Sequence, residues 1–435
     1  MIDRRSLLTA GGLAGLAALA GCSGQDGAGQ PENDAEAKQL RFAWWGHEEM
    51  NRTTREALEL YHQQKDLVTL TPENASWDDF WDRMATQIAG RNGPDCFQMS
   101  NQMIVDYAER GALLDLEPYI GEEIDLAGWD ENLRGYGIID DARAGVPIST
   151  DAFMIMYDVT VIEKLKITMP EASWTWDDLA ARSAEIKEAG GGELWGMSDG
   201  SGKYELLEPW VRGRGKSFYA FDADPVTLGF ERDDLGDFLQ WWADRRAEGA
   251  CVPPDVAAED DGHETSALVT GKAPIYFTTS SELLGVRALT EHPCQAMPVP
   301  DQAGGEKKAN FVRPNLFMSA WTGTKYPREC ARFLNFWIND PGAVDVIGAS
   351  RGVPPSPKSA ERLATKVEPA DVRSPFEYVE LIRELGSPMD GLTPKSGRDV
   401  YNLLQRTAEG VRFGQTSVPQ AVEAFFTEAA SLLSS

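Results

Sequence analysis

Residues 76–99, SWDDFWDRMATQIAGRNGPDCFQM, decide the fold class of this chain. A serine stands first as a helix cap, and between positions 80 and 88 apolar side chains recur every four residues, which places them on one helix face. Two glycines and a proline within residues 90–94 end that helix. The apolar run at 95–99 then predicts a strand. The stretch therefore predicts an amphipathic helix that leads through a short turn into a buried strand.

The same alternation precedes this stretch. Residues 40–44, LRFAW, predict a first strand, and 68–70 predict a second. Between them Thr53-x-x-Glu56 has the form of a capping box, so a helix is expected to begin there. Strands that alternate with amphipathic helices are typical of an α/β fold with a largely parallel sheet.

The alternation continues in the rest of the chain. Residues 153–157 predict a strand, and Thr175-x-x-Asp178 predicts the cap of a helix that ends at the glycines 190–192. Further strands are expected at 274–277 and 317–320. Helical apolar spacing occurs around Leu235, Phe238 and Trp242, around Phe333, Phe336 and Trp337, and around Val422, Phe425 and Leu432.

The N-terminus combines a basic pair, an apolar run and a small-residue cleavage site. Arginines at 4–5 precede the apolar segment 7–20, which ends in LAGC at 19–22. This order resembles a bacterial lipoprotein signal, so we expect residues 1–21 to be removed and Cys22 to carry acyl chains at the outer face of the membrane. A short membrane anchor is the alternative, although a span needs about 20 apolar residues. The arginine pair leaves twin-arginine export open.

Composition separates a tether from a folded body. Residues 23–37 lack aromatic and large aliphatic side chains, so 22–39 are expected to form a flexible tether. The remaining chain is long enough for two domains. The full sequence has a formal net charge of −28, which makes nucleic acid an unfavourable partner.

Cysteine and histidine placement limits cofactor chemistry. The four histidines have no ligand spacing and no C-x-x-C occurs, so neither a metal site nor any other cofactor is expected. Cys96 lies in a strand pattern and is expected to be a buried free thiol. Three pairings remain open among Cys96, Cys251, Cys294 and Cys330.

Seven short motifs occur along the chain in the order found in one known family. They are FAWWG at 42–46, MATQIAG at 84–90 with GPD at 93–95, YAERGALLDL at 107–116, GVP at 145–147 with YD at 157–158, WTWDDL at 174–179, GKA at 271–273 and RGVP at 351–354. With them the chain resembles the extracellular solute-binding proteins of sugar ABC importers, of the maltose-binding-like class.

This resemblance implies two α/β lobes, each a mainly parallel sheet with flanking helices, that close on a ligand held in the cleft between them. Lobe one is expected to comprise residues 40–151 and a return segment at 301–346. Lobe two is expected to comprise 152–300 and the C-terminal helices at 347–435. The implied partners are a sugar ligand and the permease subunits of an ABC importer, and we expect the receptor to be a monomer.

Lobe one offers ligand-binding candidates where its strands end. Trp45, His47 and Glu48 follow the first strand at the carboxyl edge of the sheet, where ligands bind in open α/β folds. Trp77 begins the next helix and Gln98 lies in the strand after it. Flat aromatic rings match the apolar faces of sugars, and polar side chains pair with sugar hydroxyls.

The other candidates lie near the expected crossings and in lobe two. A guanidinium can bind vicinal hydroxyls or a carboxylate, so the arginines leave an acidic sugar open. The candidates are Asp151, Trp210, Thr278, Arg313, Asn315 and Arg351.

These patterns favour a membrane-tethered sugar receptor that performs no chemistry. A secreted glycoside hydrolase is the rival class, and 69 acidic residues would always supply a pair of carboxylates. The histidines have no metal-ligand spacing, and the ordered motifs are those of binding proteins, which disfavours an enzyme. A receptor for a peptide, polyamine or phosphodiester is the third alternative, and the 13 tryptophans favour sugar over these.

Overall fold

The computed structural model describes residues 32–170, 172–260, 262–305, 307–366 and 373–434. The predicted signal peptide at 1–21, the acylation site at Cys22 and most of the predicted tether lie outside these ranges. Among the described helices none has the length and apolar character needed to cross a membrane.

Strands and helices alternate through the first half of the described chain, and helices dominate its C-terminal part. The strands are β1 Lys38–Trp45, β2 Val68–Ala75, β3 Cys96–Ser100, β4 Ile138–Ile139, β5 Ala142–Arg143, β6 Val146–Asp151, β7 Phe153–Asp158, β8 Tyr219–Ala220, β9 Thr227–Leu228, β10 Ile275–Thr279, β11 Cys294–Pro298 and β12 Arg313–Ala320. The helices are α1 Glu48–Gln64, α2 Trp77–Ala89, α3 Ile104–Glu109, α4 Glu131–Gly135, α5 Val159–Lys164, α6 Trp176–Ala189, α7 Tyr204–Gly213, α8 Arg232–Ala247, α9 Pro254–Glu259, α10 Leu283–Ala288, α11 Pro327–Asn339, α12 Pro341–Ile347, α13 Pro357–Ala364, α14 Pro375–Leu385, α15 Gly397–Arg412 and α16 Val418–Leu433.

Local signals predicted several elements well. The helix and strand expected within residues 76–99 are α2 and β3, and Ser76 is the N-cap residue of α2. The capping box at Thr175 is present, with its hydroxyl accepting from the amide of Asp178. The capping box predicted at Thr53 is wrong, because α1 begins at Glu48 and the Thr53 hydroxyl donates to the Glu49 carbonyl inside the helix. A threonine within a helix satisfies its hydroxyl in this way.

The first sheet has five strands in the order β2-β1-β3-β12-β6. β1 is parallel to both β2 and β3, as βαβ connections require. β12 is antiparallel to β3 and to β6. The expectation of a mainly parallel sheet therefore holds only for the N-terminal strands. β12 returns from a distant segment of the chain and is not bound to the direction that a βαβ connection imposes.

The second sheet is antiparallel, contrary to the expectation of a mainly parallel one. β7 lies between β10 and β11 and is antiparallel to both. β6 continues almost directly into β7, so the chain passes from one sheet to the other at Ala152. At this passage Thr150 and Val353 exchange backbone hydrogen bonds of 2.7 and 3.3 Å, which brings the segment near 351–354 to the same place.

Each sheet has its own apolar core. On the first sheet Phe42 packs against Phe333 and Trp337 of α11, with ring centroids 5.2 and 5.6 Å apart. The other core surrounds β7 and includes Trp242, whose ring contacts Phe277. Buried aromatic side chains contribute to both cores, and the burial of apolar area is the main stabilising contribution to folding.

The N-terminal border of the folded body lies before the predicted one. β1 begins at Lys38, and Asp34 forms an ion pair with Arg332 of α11 at 2.6 Å. Residues 34–39, which were expected to belong to the tether, therefore contact the folded body. Among the described residues Cys96 is a buried free thiol, as its strand pattern predicts, and so are Cys251, Cys294 and Cys330.

Candidate functional site

A cavity of about 990 Å³ lies between the ends of the first sheet and the helices that follow the second. Its walls come from the β1–α1 turn, the start of α2, the end of β3, β12, α10, the segment 345–351 and α15. The lining residues are Trp45, His47, Glu49, Met50, Arg52, Trp77, Ser100, Asn101, Gln102, Ser281, Glu282, Leu284, Gly285, Ala288, Asn315, Leu316, Asp345, Val346, Ile347, Gly348, Ala349, Ser350, Arg351, Arg398 and Asn402. We refer to this cavity as the cleft.

An aromatic cluster forms one wall of the cleft. Trp45 and Trp77 meet edge to face, with ring centroids 4.9 Å apart at 83°. Phe80 and Trp81 support Trp45 from behind, at 5.0 and 5.3 Å, and both are buried. Trp45 and Trp77 are only half-buried, so part of each indole is exposed toward the cavity. Such rings offer apolar surface to a ligand in the cavity.

A cation from the opposite wall reaches this cluster. Arg398 of α15 places its guanidinium 5.2 Å from the ring centre of Trp77, and it lies 3.7 Å from the Asp78 carboxylate. A guanidinium over an indole face is attracted by the ring quadrupole. Arg398 therefore links the C-terminal helices to the aromatic wall.

Arg351 lies at the base of the cleft and is 3% exposed. Its Nε donates to Gln98 Oε1 at 2.8 Å, and its Nη2 donates to Thr54 Oγ1 at 2.7 Å. The Gln98 amide in turn donates to the Trp45 carbonyl at 3.3 Å. Burial lowers the pKa of Arg351 to about 9, so the guanidinium remains charged at neutral pH. Gln98 is thus a positioning residue for Arg351, beneath the cavity surface.

Amide side chains line the cleft between these groups. Asn101 and Gln102 follow β3, Asn315 lies in β12, and Asn402 belongs to α15. The Gln102 amide also donates to the Tyr204 hydroxyl at 3.3 Å, a contact between the segment after β3 and α7. Amides supply both donors and acceptors, which is the combination that sugar hydroxyls need.

The passage between the sheets is held by a buried ion pair. Asp151 and Arg313 face each other across β6 and β12, with Nη2 to Oδ2 at 3.3 Å. Asp151 also accepts from the amides of Ala152 and Ser281 and from the Ser280 hydroxyl. Arg313 donates to the Tyr204 hydroxyl at 2.8 Å. These contacts make Asp151 and Arg313 connectors of the two sheets, and neither lines the cleft.

Glu208 and Arg313 line a second, small cavity of about 20 Å³. Removal from water raises the pKa of Glu208 to about 7, while Arg212 and Arg313 partly oppose this shift. Asp390 and Glu205 add to it by charge repulsion. Glu208 is therefore half protonated near neutrality, at the point where α7 approaches the connecting strands.

The structure places three other predicted residues outside the cleft. Trp210 is 4% exposed in the core of the second sheet, and its indole donates to the Asp234 carbonyl at 3.1 Å. Thr278 lies within β10, paired with Met154, and does not line the cleft. Glu48 is exposed at the first position of α1, while its neighbour Glu49 lines the cavity. The tryptophan was misplaced because sequence alone does not distinguish a core-facing indole from one in a cleft.

The cleft does contain Trp45, His47, Trp77, Asn315 and Arg351 among the predicted residues. Sequence reasoning missed Arg398 and Asn402 of α15, because nothing in a C-terminal amphipathic helix indicates that its polar face meets α2. Gln102 was missed although the end of β3 was recognised as a carboxyl edge. Gln102 lies two residues after the end of β3, and this position alone would have predicted that it lies near the ligand site.

The structure is similar to several solved binding proteins. An extracellular solute-binding protein family 1 member from Alicyclobacillus acidocaldarius has 23% identity and a TM-score of 0.72, with 93% of this chain and 100% of that chain covered. An oligogalacturonide binding protein from Yersinia enterocolitica, in complex with saturated digalacturonic acid, has 22% identity and a TM-score of 0.78 over 91% and 98%. A cyclic alpha-maltosyl-1,6-maltose binding protein from Arthrobacter globiformis has 16% identity and a TM-score of 0.71 over 91% and 99%.

At these identities the likeness to solved structures establishes the fold, the two-lobe α/β architecture of solute-binding proteins. The sequence profile of the bacterial extracellular solute-binding proteins matches residues 56–372, which is most of the chain. The chain belongs to the bacterial extracellular solute-binding protein family, whose members are binding proteins and not enzymes.

Proposed function

We propose that this protein is the receptor of an ABC importer for a sugar or short oligosaccharide. The observation that carries the proposal is the pair Trp45 and Trp77, half-buried on one wall of a cavity of about 990 Å³. Their exposed faces suit the apolar side of a pyranose ring, and the amides of Asn101 and Asn315 suit its hydroxyls. The solved relatives from Yersinia and Arthrobacter are named for oligosaccharide ligands, which supports the same class here.

The volume of the cleft supports a ligand larger than a single sugar ring. Binding sites for drug-sized molecules enclose about 300–1,000 Å³, and the cleft lies at the upper end of that range. Part of this space is expected to be removed when the two walls approach each other. A disaccharide or trisaccharide is therefore the expected size.

Closure of two lobes is the proposed binding mechanism. Lobe one comprises 40–151 and 301–346, and lobe two comprises 152–300 and 347–435. The inclusion of β12 in the first sheet supports the return segment. One contact favours an end of the return segment beyond residue 346. The Ser359 hydroxyl of α13 donates to the Ile338 carbonyl of α11 at 2.8 Å. Gln102–Tyr204 and Arg398–Trp77 are contacts that closure would tighten.

The receptor is proposed to act outside the cell, held to the outer face of the membrane by acyl chains on Cys22 and delivering its ligand to the permease. The motif LAGC at 19–22 supports this anchoring. Asp34 pairs with Arg332 of α11, so the proposed tether would join the body on the side of the first sheet.

Thermal unfolding of the mature protein against a carbohydrate library tests the proposal. A ligand that binds only the folded state at about 100 times its dissociation constant adds about 2.7 kcal/mol to the free energy of unfolding. We expect a shift with at least one oligosaccharide, and none with peptides or polyamines. Stabilisation by a peptide or polyamine alone, or hydrolysis of the bound sugar, would contradict the proposal.

A further inference from the structure

The cleft holds a buried cation that no carboxylate neutralises. Arg351 is 3% exposed, and within the described ranges its guanidinium contacts only the neutral groups Gln98, Thr54 and Ser350, the ring of Trp337 and the cleft itself. A charge removed from water destabilises a protein unless an opposite charge or strong hydrogen bonds compensate it. The chain has a net charge of −28, so the lack of a counter-ion for Arg351 is not due to a shortage of acidic residues.

The carboxylates of the cleft are all engaged elsewhere. Glu49 pairs with Arg52 at 2.6 Å, and Glu282 pairs with His263 at 2.6 Å. Asp345 pairs with both Arg362 and Lys366, outside the cavity. None of these acids forms an ion pair with Arg351.

Arg351 retains donors for a ligand. A guanidinium has five N–H groups. One on Nε is used by Gln98 and one on Nη2 by Thr54, while the contact from Nη1 to the Ser350 hydroxyl is long, at 3.5 Å. The second N–H of Nη2 and those of Nη1 are the ones that a planar acceptor with two oxygens would use. Gln98 and Thr54 hold the guanidinium in a fixed orientation, so little side-chain entropy is lost on binding.

We propose that the ligand of this receptor is an acidic sugar, a uronate whose carboxylate binds Arg351 while its ring stacks against the wall formed by Trp45 and Trp77. The proposal rests on the sugar-receptor function proposed above. One uncompensated cation matches one negative charge, which fits a carboxylate better than a phosphate dianion. A neutral sugar would leave the buried charge of Arg351 without a partner.

Isothermal titration of the mature protein with matched sugar pairs tests this assignment. Each pair consists of a disaccharide or trisaccharide that contains one uronate ring and the neutral compound obtained by reducing its carboxyl group. We expect the uronate of at least one pair to bind at least 10-fold more tightly than its neutral counterpart. A sulfated disaccharide distinguishes a requirement for a carboxylate from a requirement for any anion.

Two substitutions at position 351 and a distant control complete the experiment. Arg351→Gln should weaken uronate binding by about 10- to 100-fold, the range for a charge-assisted hydrogen bond, and should reduce the preference over the neutral counterpart. Arg351→Lys retains the charge without the planar guanidinium, so its affinity for the uronate should lie between those of the wild type and Arg351→Gln. Arg232→Gln removes the same charge from an exposed pair with Glu423 and should leave the preference unchanged.

The possible results separate this inference from the proposed function. Equal binding of uronate and neutral sugars, or an equal loss of both in folded Arg351→Gln, would overturn the acidic-sugar assignment while leaving a sugar receptor. Binding of the sulfated sugar without any uronate would also overturn it. Binding of no sugar by the folded wild-type protein would overturn both proposals.

Discussion

Replacing Glu208 by glutamine is expected to stabilise the protein in a pH-dependent way. The pKa of this carboxyl rises from an ordinary 4.5 to about 7 because the group is withdrawn from water beside Asp390 and Glu205. Between those values the folded protein binds more protons at this position than the unfolded chain does. Stability contributed by Glu208 is therefore present below pH 4.5 and is lost as the pH rises toward 7.

The size of the stability difference follows from the same pKa shift. A tenfold change in a proton-binding constant corresponds to about 1.4 kcal/mol. The rise in the pKa of Glu208 from 4.5 to about 7 therefore lowers the free energy of unfolding above pH 7 by at most about 3 kcal/mol. Glu208 is partly accessible, and solvent screening reduces this ceiling. We expect Glu208→Gln to be about 1–3 kcal/mol more stable than the wild type at pH 8, with a much smaller difference at pH 5.

Urea unfolding at half-unit steps from pH 5 to 8 measures this difference. Glu384→Gln, which changes an exposed carboxyl on α14, is the matched control and should give a curve parallel to that of the wild type. A stability difference that stays constant with pH would refute the reasoning. A variant that is less stable than the wild type at pH 8 would mean that the ionised carboxylate is stabilised by Arg212 or Arg313.

Four further predictions concern aromatic stacking, closure, lipid anchoring and the export route. Trp77→Ala should weaken sugar binding by tenfold or more in isothermal titration, because an exposed stacking face is lost. The core variant Trp210→Phe is the control and should alter stability but not affinity. Wild-type affinity in both folded Trp45→Ala and folded Trp77→Ala would contradict a role of these rings in binding. Small-angle scattering should give a smaller radius of gyration with bound ligand, since a ligand shifts lobes toward the state that it contacts better, and an unchanged radius at saturation would argue for a rigid cleft. Cys22→Ser should abolish acylation and membrane fractionation, and a variant that remains bound after alkaline washing would rule out the lipid anchor. Replacing the arginines at 4–5 with lysine should block export only by the twin-arginine route, and unchanged export would indicate the general route.

The sequence determined the elements whose signals are local. The helix and strand within residues 76–99, the capping box at Thr175 and the strand β7 were all predictable, because periodicity and caps depend on neighbours a few residues apart. The start of α1 was not predictable in this way, because Thr53 matches the capping-box pattern but lies inside the helix. Ordered motifs also indicated the family, which the profile match over residues 56–372 confirms.

The tertiary structure decided which side chains share the cleft. Trp77 and Trp210 both occur in amphipathic helices, yet only Trp77 lines the cavity, because packing of the second core buries Trp210. Arg398 and Arg351 reach the cleft from α15 and from the 345–351 segment, more than 300 residues beyond Trp45 in the chain. Among the described residues Arg351 has no carboxylate partner, and this is likewise a property of the assembled cleft, because Glu49, Glu282 and Asp345 pair with other basic side chains. Contacts between distant segments form only when the sheets and helices pack, and no local pattern encodes them.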